Sequence, residues 1–322
     1  MDSPRHYLEF ERPIGELEAK IEELSKLSEN AGEGSAFDTE IAALRARVEQ
    51  MRREAYANLD AWQKTQVARH PERPHFSHYV AGLIEDFEEL RGDRQFADDQ
   101  AIVGGLGRFR GSPVVVIGHE KGHDITSRIK HNFGMARPEG YRKSVRLMEL
   151  AERFNLPVLT FVDTAGAYPG VGGEERGQAE AIARSTEQCL NLATPLIATI
   201  TGEGGSGGAI ALAAGNRVLM LEHSIYSVIA PEAGSAILFR DRDQAPRMAE
   251  GMKITGPDLI RFGVVDRVIP EPAGGAHADP DATVASVGEA IDEELRLLSA
   301  QSAEALRAQR AERFCAIGRT VA

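Results

Sequence analysis

Two segments near the start of the chain repeat their hydrophobic residues at helical spacing. Apolar side chains fall three and four positions apart over residues 14–27, and the same spacing returns over residues 41–51. Such spacing places them on one face of a helix. Pro13 suits the first turn of the first helix, and Asp38 suits the N-cap of the second, after a loop at residues 30–35. The pattern predicts a helical hairpin whose apolar faces pack on the main body or on another chain.

A different pattern begins beyond residue 112, where three apolar runs rich in β-branched residues each end in a glycine-bearing turn. A helical stretch follows each run. Strands that alternate with helices in this way indicate an α/β domain with a largely parallel sheet. Shorter runs at residues 218–222 and 264–269 predict further strands. The three long runs are PVVVIGHEKG (residues 113–122), PVLTFVDTAGAYPG (157–170) and PLIATITGEGGSGG (195–208).

The pattern divides the chain into three parts. Residues 1–60 form the predicted helical arm and residues 61–280 the α/β core. Residues 281–322, which are rich in Ala, Glu, Leu and Arg, form a predicted terminal helical segment. A chain of 322 residues is long enough to bury a large core. Because no internal repeat and no long low-complexity linker separates the parts, we expect one domain with helical extensions.

The composition limits the classes of function. Thirty-seven basic and 49 acidic residues give a net charge of −12, which disfavours general nucleic-acid binding. Cys189 and Cys315 lie far apart, so neither a disulfide framework nor a cysteine zinc site is expected. The first residues lack the apolar core of a signal peptide, and no window has the roughly 18 consecutive apolar residues of a membrane span. A cytoplasmic protein, neither exported nor embedded in a membrane, is predicted.

The glycine-rich segment GEGGSGGAIALAAG, residues 202–215, fits three patterns. Its glycines spell the dinucleotide fingerprint G-x-G-x-x-G, and Glu222 stands at the position expected for the ribose-binding acid. They also spell G-x-S-x-G around Ser206, which is the pattern of a serine nucleophile. The third interpretation is a pair of backbone amides, on Gly207 and Gly208, that open a helix and bind an oxyanion.

The surrounding sequence disfavours the first two patterns. The helix after the glycines has room for about eight residues before Gly215, which is shorter than a dinucleotide-binding crossover needs. A serine nucleophile needs an acid and then a histidine downstream, and Asp258 or Asp266 with His277 offers that order, as any long chain would. So much glycine around Ser206 favours close approach of the backbone to a ligand over an exposed hydroxyl. We therefore favour the amide pair.

Two other segments carry chemically active residues. HEKGH, residues 119–123, matches the zinc-protease motif H-E-x-x-H, but it follows a strand directly and contains Gly122, so its histidines are not expected to share a helix face. No G-K-[ST] sequence is present, which excludes a P-loop. A basic cluster extends from Lys121 to Arg146. It predicts either a local anion site or a solvated helix face that distant acids balance.

Longer strings of residues carry a resemblance to a known family. These strings are FERPIGELEAKIEEL, AWQKTQVARHPERP, GDRQFADDQAIVGGL, NFGMARPEGYRK, FVDTAGAYPGVGGEERGQAEAIA, GEGGSGGAIA, YSVIAPE and IPEPAGGAH. Through them the chain resembles, over nearly its whole length, the carboxyltransferase alpha subunits of bacterial multisubunit acetyl-coenzyme A carboxylase. The family usually reads D-T-P-G-A-Y-P-G where this chain has Ala165 in place of the proline, and we expect a softer turn without loss of activity.

The resemblance implies a crotonase-like fold, a superhelix of strand-strand-helix units in which backbone amides form oxyanion holes. It implies transfer of the carboxyl group of carboxybiotin, presented by a biotin carboxyl carrier protein, to acetyl-CoA, which yields malonyl-CoA for fatty acid synthesis. It also implies a beta subunit with a zinc ribbon and the acetyl-thioester site, together with biotin carboxylase, and an assembly of two alpha and two beta subunits. No metal and no covalently bound cofactor is expected in this chain.

Residue roles follow from the motifs and the resemblance together. Gly207 and Gly208 are the expected catalytic residues, because their amides can donate to the ureido oxygen of biotin as negative charge develops there. The turn formed by Gly166, Ala167 and Tyr168 is expected to line the biotin site, although a purely structural strand-to-helix turn is an equal alternative.

Within the basic cluster, Arg142 and Lys143 are the predicted contacts of coenzyme A phosphates or of the partner subunit. Two other functions stay open at this point. An NAD-dependent oxidoreductase would bind a dinucleotide tightly through the glycine-rich segment. A non-catalytic scaffold would use the hairpin and the terminal helices to assemble the complex.

Overall fold

One eight-stranded sheet organises the protein in the computed structural model, which describes residues 6–31 and 36–319. Its strands are β1 (Ile84–Glu89), β2 (Ile102–Phe109), β3 (Ser112–His119), β4 (Val158–Thr164), β5 (Leu196–Gly205), β6 (Arg217–Leu221), β7 (Ile225–Ser227) and β8 (Arg267–Ile269). They lie in the order β1-β2-β3-β4-β5-β6-β8, and β7 pairs with the end of β5. The pairs from β3 to β8 are parallel, as predicted, whereas β1, β2 and β3 are antiparallel neighbours.

Helices cover both faces of this sheet, and further helices precede its first strand and follow its last strand in the sequence. Short 3-10 turns occur at Glu9–Glu11, Asn132–Gly134 and Arg242–Gln244. The α-helices are α1 (Arg12–Ala31), α2 (Ala36–Ala57), α3 (Ala61–Ala68), α4 (Phe76–Leu83), α5 (Ile125–Lys130), α6 (Pro138–Phe154), α7 (Val171–Glu175), α8 (Gln178–Asn191), α9 (Ser206–Ala213), α10 (Pro231–Leu238), α11 (Ala245–Met252), α12 (Gly256–Arg261), α13 (Pro280–Ser299) and α14 (Ala303–Ala316).

The sequence pattern did not predict the antiparallel edge of the sheet. Strands β2 and β3 form a hairpin through Arg110 and Gly111, both of which have positive φ angles, 48° and 76°. Two successive positive φ angles are typical of the tight turn that matches the twist of paired strands. The register of β1 against β2 shifts between Glu85 and Glu88, next to Asp86 at a φ of 51°, so β1 carries a bulge.

The hydrophobic core lies on both sides of the parallel strands. Every residue of β4 and β5 is buried, which explains their continuous apolar runs. Along β4, Val158 and Val162 face a cluster that includes side chains of α6, α8 and α9. Leu159 and Phe161, which alternate with them, face a second cluster that includes α4 and α13. The parallel half of the sheet is therefore the middle layer of three.

The N-terminal hairpin forms where the apolar spacing predicted it. Helix α1 packs against α2, and Ile41 and Val48 are buried. The N-cap prediction is wrong, because α2 already begins at Ala36 and places Asp38 in its first turn, where it accepts a hydrogen bond from Ser28 Oγ at 2.6 Å. Residues 32–35 of the predicted loop lie outside the described residues. No helix in the described ranges is long and apolar enough to cross a membrane.

The base of the hairpin docks on the core through buried polar groups. Tyr56 Oη donates to Glu11 Oε1 at 2.7 Å. The imidazole of His70 stacks on that of His277, with ring centroids 3.7 Å apart, and its Nε2 lies 2.9 Å from the His6 carbonyl oxygen. Burial, followed by the nearby His277, lowers the pKa of His70 to about 4. Burial and the stacked His277 therefore outweigh the His6 carbonyl and Glu11, both of which raise the pKa of His70, so the folded chain favours neutral His70.

The first prediction concerns the dependence of stability on pH. Because the pKa of His70 falls from 6.5 to about 4 on folding, its neutral form favours the native state, and this contribution disappears as the pH falls from about 6.5 towards 4. Burial lowers the pKa of His119 to about 4 as well, with the same sign. We expect the free energy of unfolding, measured by urea denaturation, to decrease between pH 7 and pH 5. The variant His70→Gln should show a shallower decrease, and an identical slope would contradict this assignment.

Candidate active site

The carboxyl ends of β4 and β5 bring two glycine-bearing turns together. The β4 turn comprises residues 164–167, and the β5 turn, residues 205–208, leads from β5 into α9. Thr164 Oγ1 accepts a hydrogen bond from the Gly166 N–H at 3.1 Å and donates one to the Gly166 carbonyl oxygen at 2.7 Å. Gly166 has a φ of 148°, which residues with a side chain rarely adopt. The β4 turn is therefore fixed from within.

Packing requires glycine at two positions of the β5 turn but not at Gly207. A Cβ on Gly205 would lie 2.3 Å from a carbonyl oxygen of the β4 turn, and a Cβ on Gly208 would lie 2.7 Å from the carbonyl carbon of Gly166. Both distances are shorter than real Cβ contacts. A Cβ on Gly207 would meet only Ile182 Cγ2 at 3.4 Å, an ordinary contact. The absence of a side chain at Gly207 therefore needs another explanation, such as the approach of a ligand.

The amides of Gly207 and Gly208 open helix α9. Amides in the first turn of a helix lack acceptors within the helix, and Gly205, at the N-cap, has no side chain that could accept from them. In the described ranges neither amide donates to another segment of the chain. Gly207 is half-buried and Gly208 is buried against the β4 turn. The predicted pair of helix-opening amides is present, and the positive end of the α9 dipole lies behind it.

A cavity of about 700 Å³ opens beside the start of α9. Ser206 and Gly207 lie on its wall, and most of the remaining wall is apolar, with Ile210, Leu259 and Phe314 among its residues. Of the described residues that line it, Lys253 alone carries a charge, and none is a histidine. The cavity therefore suits an uncharged ligand that presents one polar atom to the backbone.

Ser206 stands in a strained conformation but lacks the partners of a nucleophile. Its φ is 54°, and its side chain is exposed. Of its predicted partners, His277 stacks on His70 at the base of the hairpin, and Asp266 accepts a hydrogen bond from the Val218 N–H at 2.7 Å. Because neither these groups nor any other described acid or histidine lines the cavity at Ser206, the geometry does not favour a serine hydrolase.

Tyr168 belongs to the turn of residues 166–168 that was predicted to line the substrate site, and it contacts the residues that begin α6. Its N–H donates to the Ala136 carbonyl oxygen at 3.0 Å, and the Arg137 guanidinium lies 4.8 Å from the centre of its ring. Ala167 and Tyr168 are both half-buried. The turn that Gly166, Ala167 and Tyr168 form is thus held between α6 and the β5 turn.

Arg142 and Lys143 of the basic cluster are paired with other groups of the fold. Lys143 is completely buried, and its Nζ lies 2.6 Å from Asp98 Oδ1. Arg142 donates to the Arg176 carbonyl oxygen at 2.8 Å and lies 3.7 Å from Asp93 Oδ2. These contacts differ from the predicted role in anion binding, because a buried, paired ammonium cannot reach a phosphate. The alternative, a solvated helix face balanced by distant acids, is correct about the acids, but Lys143 is buried and not solvated.

The other side of the two turns is strongly charged. The Asp163 carboxylate at the end of β4 is buried, with Oδ1 2.6 Å from Lys121 Nζ and Oδ2 3.7 Å from His75 Nδ1. Burial alone would raise the pKa of Asp163, but Lys121 and His75 outweigh it and hold that pKa well below its usual range. Asp163 is therefore ionised at neutral pH. Sequence reasoning missed this group because its members are far apart in the chain.

Metal binding has little support in the described residues. His119 ends β3 and Gly122 has a φ of 75°, so HEKGH is not helical and its histidines do not share a face, as predicted. Glu11, His70 and His277 offer ligand atoms within 4.8 Å of one another. The rings of His70 and His277 are stacked almost parallel, at 16°. A metal lies close to the plane of each imidazole that binds it, and the planes of two rings stacked at 3.7 Å and inclined by only 16° meet far outside metal-binding distance.

Comparison with known proteins identifies the family. Residues 7–318 match the model of the family described as acetyl co-enzyme A carboxylase carboxyltransferase-like. The chain belongs to this family. The resemblance seen in the sequence is confirmed, and so is the expected enzyme class, a carboxyl transferase.

Curated relatives match the chain over nearly its full length. The acetyl-coenzyme A carboxylase carboxyl transferase subunit alpha of Caulobacter vibrioides (strain NA1000 / CB15N) is 71% identical over 314 residues, which is 98% of each chain. The protein of the same name from Phenylobacterium zucineum (strain HLK1) is 72% identical over 315 residues, again 98% of each chain. The name of these relatives, a subunit, indicates that such proteins act in a multi-subunit enzyme.

Solved structures share the fold at low sequence identity. A transcarboxylase 12S structure with methylmalonyl-coenzyme A and methylmalonic acid bound has a TM-score of 0.55 at 18% identity, over 69% of this chain and 41% of that one. A Pseudomonas malonate decarboxylase hetero-tetramer in complex with coenzyme A has a TM-score of 0.55 at 17% identity, over 67% of this chain and 87% of that one. The expected crotonase-like carboxyltransferase fold is confirmed.

Family membership also decides against the dinucleotide interpretation of residues 202–215. Helix α9 has eight residues, as the position of Gly215 predicted, and is too short for a dinucleotide-binding crossover. Glu222 Oε2 accepts a hydrogen bond from the Glu271 N–H at 3.1 Å, so this acid has a partner within the fold.

The second prediction separates the two glycines that open α9. We expect Gly208→Ala to lower the free energy of unfolding by about 1–3 kcal/mol, because its Cβ would press on the backbone of the β4 turn. Gly207→Ala should change it by less than about 0.5 kcal/mol, because Ile182 leaves room for a methyl group. Urea denaturation of both variants measures the difference. Equal destabilisation would show that packing explains both glycines.

Proposed function

We propose that this chain is the alpha subunit of an acetyl-CoA carboxylase carboxyltransferase. Together with a beta subunit it transfers the carboxyl group of carboxybiotin, carried on the biotin carboxyl carrier protein, to acetyl-CoA, and the product is malonyl-CoA. The observation that carries the proposal is the free Gly207 amide, which opens α9 beside an apolar cavity at a position where packing does not require glycine. Near full-length identity to subunits named for this enzyme supports it.

The residues around Gly207 suit the ureido group of biotin. A small uncharged ring system fits an apolar cavity, and its ureido oxygen fits a pair of N–H donors. When bound, carboxybiotin supplies the carboxyl group and, through its ring nitrogen, a base for the acetyl methyl group. The amides of Gly207 and Gly208 hold the ureido oxygen and stabilise the negative charge that develops on it, and the α9 dipole adds to this effect. The apolar wall limits the access of water and strengthens both interactions.

Beside Gly207, the described residues do not include the side chains that most often act as a general base. In the described part of the cavity wall, Lys253 is the charged residue, and no carboxylate or imidazole is present. The proposal therefore assigns the chain a role in binding and in charge stabilisation, and it assigns the methyl proton to biotin itself.

The remaining groups come from partners in this proposal. A beta subunit supplies a second oxyanion hole, the acetyl-thioester site and a zinc ribbon, while this chain has only Cys189, which is buried, and Cys315. The carrier protein and biotin carboxylase complete the enzyme, and we propose two alpha and two beta subunits in the carboxyltransferase. We place the system in the cytoplasm, where fatty acid synthesis would use its product.

The proposal for the biotin site includes the β4 turn. Gly166 and Ala167 border Gly208 directly, since a Cβ on Gly208 would lie 3.0 Å from the Ala167 nitrogen. Tyr168, the residue directly after this turn, is included in the proposed site. We do not extend the proposal to Arg142 and Lys143, because their contacts within the fold account for them.

The third prediction tests the role of Gly207 in the complex with a beta subunit from the same genome. We expect Gly207→Val to lower the turnover of carboxyl transfer from malonyl-CoA to biocytin by about 100-fold or more, because a branched side chain must crowd either Ile182 or the cavity and so disturbs the amide that holds the ureido oxygen. The complex should keep its size on a sizing column.

The matched control is Gly251→Val, at an exposed glycine of α11 where an added Cβ meets no atom within 4 Å. It should leave turnover unchanged. If Gly207→Val also leaves turnover unchanged in an intact complex, the amide has no catalytic role, and the chain would serve as a non-catalytic scaffold for its partner.

A further inference from the structure

The end of strand β5 departs from regular pairing just before the proposed oxyanion site. Val162 of β4 pairs with Ile200, but Thr164, two residues later, pairs with Gly204, four residues later. Strand β5 therefore bulges against β4 at residues 201–203, where regular pairing with β4 is lost, while Glu203 still pairs with Ile225 of β7. Since the β5 turn begins two residues after the bulge, its position depends on how the bulge is held.

A single buried carboxylate replaces the missing partner on the amide side of the bulge. Asp163 Oδ1 accepts a hydrogen bond from the Glu203 N–H at 2.9 Å and lies 2.6 Å from Lys121 Nζ. Gly202 packs on the same oxygen, because a Cβ there would lie only 2.5 Å from it. On the carbonyl side, the buried Arg73 donates to the Thr201 oxygen at 3.0 Å. Side chains thus bind one backbone N–H and one backbone carbonyl of the bulge.

The bulge is also fixed through the side chain of Glu203. Its Oε1 accepts from Arg69 Nη2 at 2.7 Å and Nε at 3.0 Å, and Arg69 Nη1 donates to Glu232 Oε1 at 2.5 Å. Charged groups from the exit of β3, the ends of β4 and β5, the residue after helix α3 and helix α10 are therefore linked in series, with Asp163 joined to Glu203 through the Glu203 N–H. We name the group of Lys121, Asp163, Glu203, Arg69 and Glu232 the bulge network.

We propose that Asp163 is a positioning residue for carboxyl transfer: its ionised carboxylate holds the β5 bulge and so sets the position of the Gly207 and Gly208 amides. The carboxylate does not line the apolar cavity and does not contact the proposed ligand site. It acts through rigid backbone, because the β4 and β5 turns touch without intervening side chains. This inference rests on the proposed function. A small displacement of an oxyanion donor is enough to lower turnover strongly.

The test measures carboxyl transfer from malonyl-CoA to biocytin per assembled complex with the beta subunit. Asp163→Asn keeps the size of the side chain and an acceptor, but removes the charge that Lys121 neutralises. We expect kcat to fall by about 10- to 100-fold, with the Michaelis constant for malonyl-CoA changed by less than about twofold. A wild-type kcat per assembled complex would overturn the proposal.

A distance-matched control separates positioning from stability. Asp98 pairs with Lys143 at the same 2.6 Å, away from both turns. Asp98→Asn should lower the melting temperature but leave kcat per assembled complex within about twofold of the wild type. The lost pair stabilises the fold, but it does not hold the β5 bulge. An equal loss of kcat in Asp98→Asn would contradict a specific role for Asp163.

Variants of Lys121 keep the proposal testable if Asp163→Asn does not fold. Lys121 is partly exposed, and Lys121→Met leaves Asp163 in place without its cation. We expect kcat to fall in Lys121→Met and to be largely retained in Lys121→Arg, which restores the charge. Equal losses in both, or none in either, would contradict the proposal. An inactive wild-type complex would instead refute the proposed function, so the two failures are distinguishable.

Discussion

The contact between the β4 and β5 turns is the constraint on which the proposed site depends. Here two segments of backbone meet with no side chain between them, because glycine occupies positions 205 and 208 and a Cβ at either would enter the facing turn. The parallel pairing of β4 and β5 brings both turns to the same edge of the sheet. Helix α9 has only eight residues and starts directly at this contact, so its first turn cannot shift without moving the contact. The position of the helix-opening amides is therefore coupled to the ends of two buried strands.

The two sides of this contact have opposite character. On one side Gly207 faces an apolar cavity of about 700 Å³. On the other side the bulge network joins buried charges, including the pair of Asp163 and Lys121 at 2.6 Å. An apolar surround strengthens the interaction of an amide with developing charge, and a buried ion pair fixes geometry through directional contacts. The charged side chains of the bulge network therefore lie where they orient the backbone, and they do not line the cavity.

The sequence predicted those parts of the fold whose pattern is local. Strands β3, β4 and β5 are buried on both faces, so their apolar runs were visible, and glycine density at residues 202–208 marked the β5 turn. Strand β1 was missed because its sequence, IEDFEE, is polar, and β2 because three glycines interrupt it.

Long-range partners could not be predicted from one sequence. Lys143 was assigned to anion binding since its partner Asp98 lies 45 residues away, and the pair of Arg69 and Glu203 spans 134 residues. The family resemblance identified the enzyme, but it did not reveal that Asp163 holds the β5 bulge. In the proposed function this chain supplies half of a shared active site. The most direct measurement is carboxyl transfer from malonyl-CoA to biocytin by this chain alone, by the beta subunit of the same genome alone, and by the two mixed. Activity confined to the mixture is the predicted result, and full activity of the beta subunit alone, or no activity from chains shown to associate, would contradict the account.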